Sequence, residues 1–194
     1  MKKKSFSSMP TVQQLEAELE REKYRCRYRM ALRSTIYTLI TVAAVAILTA
    51  TLFLPVLKIY GSSMFPTLRE GEIVLSVKNA GFRQGDIIAF YYNNKILVKR
   101  MIAGPGSWVN ISEDGTVYVD GERLEEPYLE ERSLGECDIE LPYQVPDGRY
   151  FVMGDHRSTS VDSRSTTIGC VAEEQIVGRI VFAVWPWRCL GLVK

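Results

Sequence analysis

At 194 residues and 46% apolar composition, the chain is long enough for one ordinary domain plus an appendage. Its formal net charge of +1 conceals an asymmetry: residues 1–33 hold nine Lys/Arg against four Glu, and the remaining 161 residues carry a surplus of four acids. A basic front that stops at a hydrophobic wall, ahead of a mildly acidic body, argues against a nucleic-acid binder, whose positive charge spreads over a folded face.

Thr11 to Arg33 reads as a helix. Val12, Leu15, Leu19, Cys26 and Met30 recur at helical spacing, no Gly or Pro interrupts, and Thr11 is placed to cap. The pattern covers too few heptads for a coiled coil, so it predicts a juxtamembrane helix with a solvated charged face. Ser34 to Leu57 follows, 24 residues without a charge. Roughly 20 apolar residues cross a bilayer core, and a cleaved leader typically has an apolar region of only about 7–15. The reading is a transmembrane helix over 34–57 that anchors the chain in a plasma membrane. Residues 1–33 are then cytoplasmic and residues 58–194 form an extracytoplasmic domain, because basic flanks stay inside. Cys26 lies on the reducing side, while Cys137, Cys170 and Cys189 face an environment where a disulfide persists. Three cysteines allow at most one internal pair, which spacing does not choose, and no Cys/His spacing suggests a metal.

Beyond the span the pattern becomes β-rich. Residues 72–77, 86–92, 95–102, 108–111, 116–119, 149–154 and 177–185 favour strands by their Val, Ile, Tyr and Phe content. Asn93-Asn94, Asp114-Gly115 and Asp120-Gly121 suit tight turns that need positive φ. Glu122 to Pro146, richer in Glu, Pro and Gly, reads as an irregular excursion and not a second domain. The expected fold is mainly β, with antiparallel sheets and their own core. At the C-terminus, Trp185 and Trp187 flank Pro186 and suit either a membrane interface or ordinary packing at the end of the last strand.

Chemistry concentrates around "SSMFPT" at 62–67, just past the apolar run. A serine nucleophile needs a base, since its hydroxyl is barely ionised at neutral pH. The sequence holds one histidine, His156, whose neighbour Asp155 is poorly placed to orient it, because adjacent residues of an extended segment project apart. Lysine is the other candidate. Lys99 in "KILVKRMI" shares a strand face with Leu97 and Met101, apolar surroundings that favour a neutral amine. From the spacing alone, a solvated lysine on an edge strand is at least as good a reading.

The motifs taken together go further. "SMFPT" (63–67) after a membrane span resembles the Ser-Met-x-Pro-Thr box of the type I signal peptidases, membrane-anchored Ser/Lys endopeptidases of peptidase family S26. Three further boxes follow in the family's order: "RQGDIIAF" (83–90), "KR" (99–100) with "GPG" (104–106), and "GDHRSTSVDSR" (154–164). The resemblance implies that Ser63 is the nucleophile and Lys99 the general base. Ser160 stands where a serine hydrogen-bonds the lysine, Asp162 and Arg164 where charged support lies, and Asp155 and Arg157 at structural positions of the same box. Met64 and Val98 are then the candidates for a small-residue substrate pocket, and Pro66 helps fix the loop. The implied partners are signal peptides of exported preproteins and the lipid bilayer, with no cofactor. His156 departs from the family's usual Asn, Ala103 to Ser107 from its usual Gly-Leu-Pro-Gly-Asp, and Gly61 leaves the oxyanion to backbone donors such as the Ser63 N–H. A dedicated pilin-type processing peptidase and a non-catalytic pilus-assembly chaperone share this fold, and the chaperone is disfavoured because Ser63 and Lys99 are both present.

Overall fold

The computed structural model describes residues 11–78 and 81–193, so Lys2, Lys3 and Lys4 of the basic front lie outside the described residues. The chain forms two compact units, Met1–Ala50 and Thr51–Lys194.

The predicted juxtamembrane and apolar segments are one continuous helix, α1 (Val12–Phe53). At its start the Gln14 side chain reaches back to accept the Thr11 N–H at 3.1 Å, one half of a capping box. Within the apolar stretch the Thr35, Thr38, Thr41 and Thr49 hydroxyls donate to carbonyls one turn back, so each of these four hydroxyls is satisfied inside the helix. The helix is long and apolar enough to cross a membrane. It stops at Phe53, four residues before the end of the uncharged run at Leu57. Pro55 explains the difference: it has no N–H to donate and disfavours helical backbone in the residue before it.

The strands are β1 (Val56–Lys58), β2 (Ile73–Val77), β3 (Ile87–Tyr92), β4 (Lys95–Ala103), β5 (Trp108–Ile111), β6 (Val117–Val119), β7 (Glu122–Arg123), β8 (Tyr143–Gln144), β9 (Arg149–Met153), β10 (Val171–Ala172), β11 (Ile176–Trp185) and β12 (Gly191–Leu192). The larger sheet runs β1-β2-β11-β3-β4-β9-β10 with β12 on β11, the smaller β7-β6-β5-β8, and every pairing is antiparallel. The expected mainly-β fold is observed. Asn93 and Asn94 close the β3–β4 hairpin with φ of 43° and 64°, a two-residue turn whose twist matches its strands. The excursion from Glu122 to Pro146 is irregular except at its ends, which supply β7 and β8 to the smaller sheet.

Three apolar clusters fill the interior. One joins β4 and β9 to the smaller sheet through Ile102, Val109, Val117, Phe151 and Met153. A second, Ile88, Phe90, Val152 and Val171, lies along β3, β9 and β10. The third is built from Ile59, Met64, Leu68, Val74, Ile180 and Ala183, and it seats the loop that carries Ser63. The four cysteines are all unpaired.

Candidate active site

The loop after β1 is tight and anchored from below. Gly61 has a φ of 81°, a left-handed backbone that glycine adopts without strain, and the turn closes through Phe65 N–H to Ser62 O at 3.0 Å and Leu68 N–H to Met64 O at 2.9 Å. Met64, 2% exposed, plugs the loop into the core, and Ser63 stands beside it half-buried. Ser62 contributes the carbonyl that closes the turn.

Lys99 reaches the same place from β4. It is 4% exposed, and Nζ donates to Ser160 Oγ at 2.8 Å. Burial lowers its pKa from the ordinary 10.5 to about 8; Asp162 and Asp155 oppose the shift and Arg164 adds to it. The lysine is therefore the desolvated amine that its apolar neighbours suggested, and not a solvated one. Ser63, Met64, Val98 and Lys99 all line one groove of about 600 Å³, walled by β1 on one side and the first half of β4 on the other. Among the described residues, the Ser63 hydroxyl makes no hydrogen bond to a side chain. Among the described residues, the outer edge of β1 is unpaired, and so is that of β4 from Lys95 to Lys99, because β9 joins β4 only at Arg100.

Behind the groove, three buried ion pairs hold the box at 154–164. Arg164 pairs with Asp162 at 2.9 Å and donates to the carbonyls of Leu134, Arg157 and Ser160. Burial alone would push the Asp162 carboxyl up, but Arg164 and the Gly154 N–H hold it below its usual value. Arg100 grips Asp155 with two bonds, at 2.8 and 2.7 Å, and Asp155 also accepts the Thr67 hydroxyl from the loop that carries Ser63. Arg100 donates as well to Gly85 O at 2.7 Å, so the "RQGD" box is a clasp for this arginine. The third pair joins Arg157 to Glu126.

The structure thus brings together Ser63, Lys99, Ser160, Asp162, Met64 and Val98, while Asp155 and Arg164 brace them from behind. His156 joins the site through its backbone, whose N–H donates to Ser63 O at 3.1 Å. Sequence reasoning missed Gly154, where an added Cβ would overlap both Ser160 Oγ and the Ser63 carbonyl. It also missed Glu126 and Tyr128 of the excursion. Tyr128 stacks under the Arg100 guanidinium at 3.8 Å and donates to Glu126 at 2.9 Å, linking two ion pairs. The glycine was present in the quoted box. Nothing local in "LEEPYLEER" separates Glu126 from its exposed neighbours.

A family model described as signal peptidase, peptidase S26, matches residues 32–185. The chain is 38% identical to signal peptidase I of Bacillus amyloliquefaciens over 172 residues, covering 80% of this chain and 86% of the relative. It is 36% identical to signal peptidase I T of Bacillus subtilis, covering 74% and 79%, and 37% identical to signal peptidase IB of Staphylococcus aureus, covering 66% and 76%. Among solved structures, signal peptidase I from Enterococcus faecalis V583 aligns at 31% identity over 52% of this chain and 97% of that one, with a TM-score of 0.43. With the family match spanning most of the chain, the protein belongs to the signal peptidase family, peptidase S26, and is a serine peptidase.

Proposed function

We propose that the chain is a membrane-anchored endopeptidase that removes N-terminal signal peptides from exported preproteins, with Ser63 as nucleophile and Lys99 as general base. The observation that carries this reading is the convergence of a loop serine and a buried, easily deprotonated lysine on one groove. The two free strand edges of that groove suit an extended peptide, which pairs with backbone groups while its side chains fill the apolar floor. Met64 and Val98 narrow the floor and favour small residues at the two specificity positions before the cut.

Neutral Lys99 takes the Ser63 proton as Oγ attacks the carbonyl carbon. The oxyanion is met by the Ser63 N–H, for which no acceptor appears among the described residues. The Lys99 ammonium then protonates the departing amine, the mature chain leaves, and an acyl-enzyme remains. Lys99 next deprotonates a water that attacks the ester, which frees the signal peptide's carboxylate and restores Ser63. Ser160 holds Nζ in register throughout, and the Asp162–Arg164 pair fixes the segment that carries Ser160.

The basic flank of α1 argues for a cytoplasmic N-terminus and an extracytoplasmic catalytic unit at the plasma membrane. Anchoring confines enzyme and membrane-inserted substrate to one surface, raising their effective concentration. Purified wild type is expected to cleave a preprotein with small residues at the two specificity positions, and Ser63→Ala and Lys99→Ala to fall by about 10³-fold or more. Full activity in both variants overturns the assignment.

A further inference from the structure

Arg100 follows Lys99 on β4, and consecutive strand residues project to opposite faces, so the strand that presents Lys99 is gripped from behind by Arg100. The guanidinium is 1% exposed and its edge is committed: it gives two bonds to Asp155, one to Gly85 O and a longer one, 3.2 Å, to Thr67 Oγ1. Thr67 belongs to the loop that carries Ser63 and donates its own hydroxyl to Asp155. Arg100, Asp155 and Thr67 therefore form a bridge from the strand of Lys99 to the loop of Ser63.

A planar cation whose edge is occupied is held further only through its faces. Tyr128, half-buried in the irregular segment between β7 and β8, covers one face at 3.8 Å. Burial first, and then the Glu126 carboxylate, push its hydroxyl above the usual range, so it stays protonated and donates to Glu126. Glu126 pairs in turn with Arg157, whose Nε donates to Gly154 O at 3.0 Å. The ring is thus anchored at its hydroxyl end while its face rests on Arg100. None of Tyr128, Arg100, Asp155 and Thr67 lines the peptide groove.

We propose that Tyr128 is a positioning residue for the reaction: by covering the Arg100 guanidinium it keeps the Arg100–Asp155–Thr67 bridge closed, and the bridge sets how Ser63 approaches Lys99. The proposal rests on the Ser63 and Lys99 roles assigned above and adds to them a residue from the excursion, outside the motif boxes. A bridge that acts on the approach of two reacting groups, and not on contact with substrate, affects kcat and leaves KM alone. It also acts on the base. Besides burial, the charged groups that act on Lys99 are Asp162, Arg164 and Asp155, and Ser160 accepts its hydrogen bond. When Arg100 slackens, the Asp155 charge is less neutralised and favours the ammonium, which moves the pH midpoint above about 8.

The test uses the full chain in detergent and one preprotein with small residues at the two specificity positions. Tyr128→Leu and Tyr128→Met remove the aromatic face, and each is expected to lower kcat about tenfold, with KM within about twofold and the pH midpoint raised. Tyr128→Phe restores the face and recovers most of the loss. Thr67→Val cuts the bridge at its other end and should lose kcat to a similar extent, and Tyr128→Leu in that background should add little, because both changes break one connection. A merely structural tyrosine lowers the folded fraction, read by urea denaturation, without moving KM or the pH midpoint. Unchanged kcat and midpoint in the Leu and Met variants, a Phe variant as impaired as Leu, or losses that add fully with Thr67→Val overturn the proposal. So does full kcat in Thr67→Val, whatever the Tyr128 variants do. All of these leave the Ser63 and Lys99 assignment standing, whereas wild-type rates in Ser63→Ala and Lys99→Ala overturn both.

Discussion

In the proposed mechanism, Lys99 concentrates the chemistry at the scale of one residue. Desolvation brings its pKa to about 8, and a lysine that is still protonated cannot accept the Ser63 proton. Below about pH 8, kcat/KM is therefore expected to fall close to tenfold per pH unit, and above it to level off. The Asp162 carboxylate stabilises the ammonium form, so Asp162→Asn moves the midpoint of the profile below 8. A profile flat from pH 6 to 9 in both proteins would rule out Lys99 as the base. The motif boxes pointed to this residue, whereas its desolvation was only partly legible from local spacing. Leu97 and Met101 on its strand face framed it as desolvated, but the solvated alternative was resolved by Ser160, which arrives from 61 residues away and is invisible to local pattern.

Among the elements, the strands from β2 to β6 and β9 and β11 were legible because their β-branched and aromatic runs are bounded by turn residues that demand positive φ. The short strands β1, β7, β8, β10 and β12 were not: β1 begins inside the uncharged run read as helix, and the other four, two residues each, carry no periodicity and take their conformation from a neighbour's edge. Charged residues of the excursion show the same limit. Glu126 is buried against Arg157 with a Tyr128 hydroxyl on its carboxylate, although its sequence surroundings read as a solvated loop. Glu126→Ala leaves the Arg157 guanidinium unpaired in the interior, which costs about 3–5 kcal/mol. Urea denaturation measures this, and a loss below about 1 kcal/mol would mean that the pair is dispensable. Replacing Glu126 and Arg157 together by apolar residues of similar volume should cost much less, because no orphan charge remains.

For the whole molecule, the boundary between helix and sheet decides what an active fragment contains. The uncharged run suggested an end at Leu57, but Val56–Lys58 already belongs to the larger sheet and walls the groove. A fragment of residues 51–194 is expected to fold and to cleave a soluble peptide with kcat/KM within a few fold of the full chain. One of residues 59–194 loses β1 and with it the groove. Equal activity of the two fragments would show that β1 is not needed to hold substrate. On a preprotein in vesicles the longer fragment should lag behind the full chain, since it lacks the tether that concentrates it at the surface.

The half-free edge of β4 sets a limit on what this peptidase can read. Only Lys95 to Lys99 are open before β9 closes the strand at Arg100, a run of about 16 Å at the usual strand rise. Under the proposed binding mode, recognition before the cut is confined to a window of about five residues, mostly through backbone groups that every sequence has in common. The place where one strand stops being a neighbour and becomes a margin thus sets where the proposed contact with substrate begins and ends.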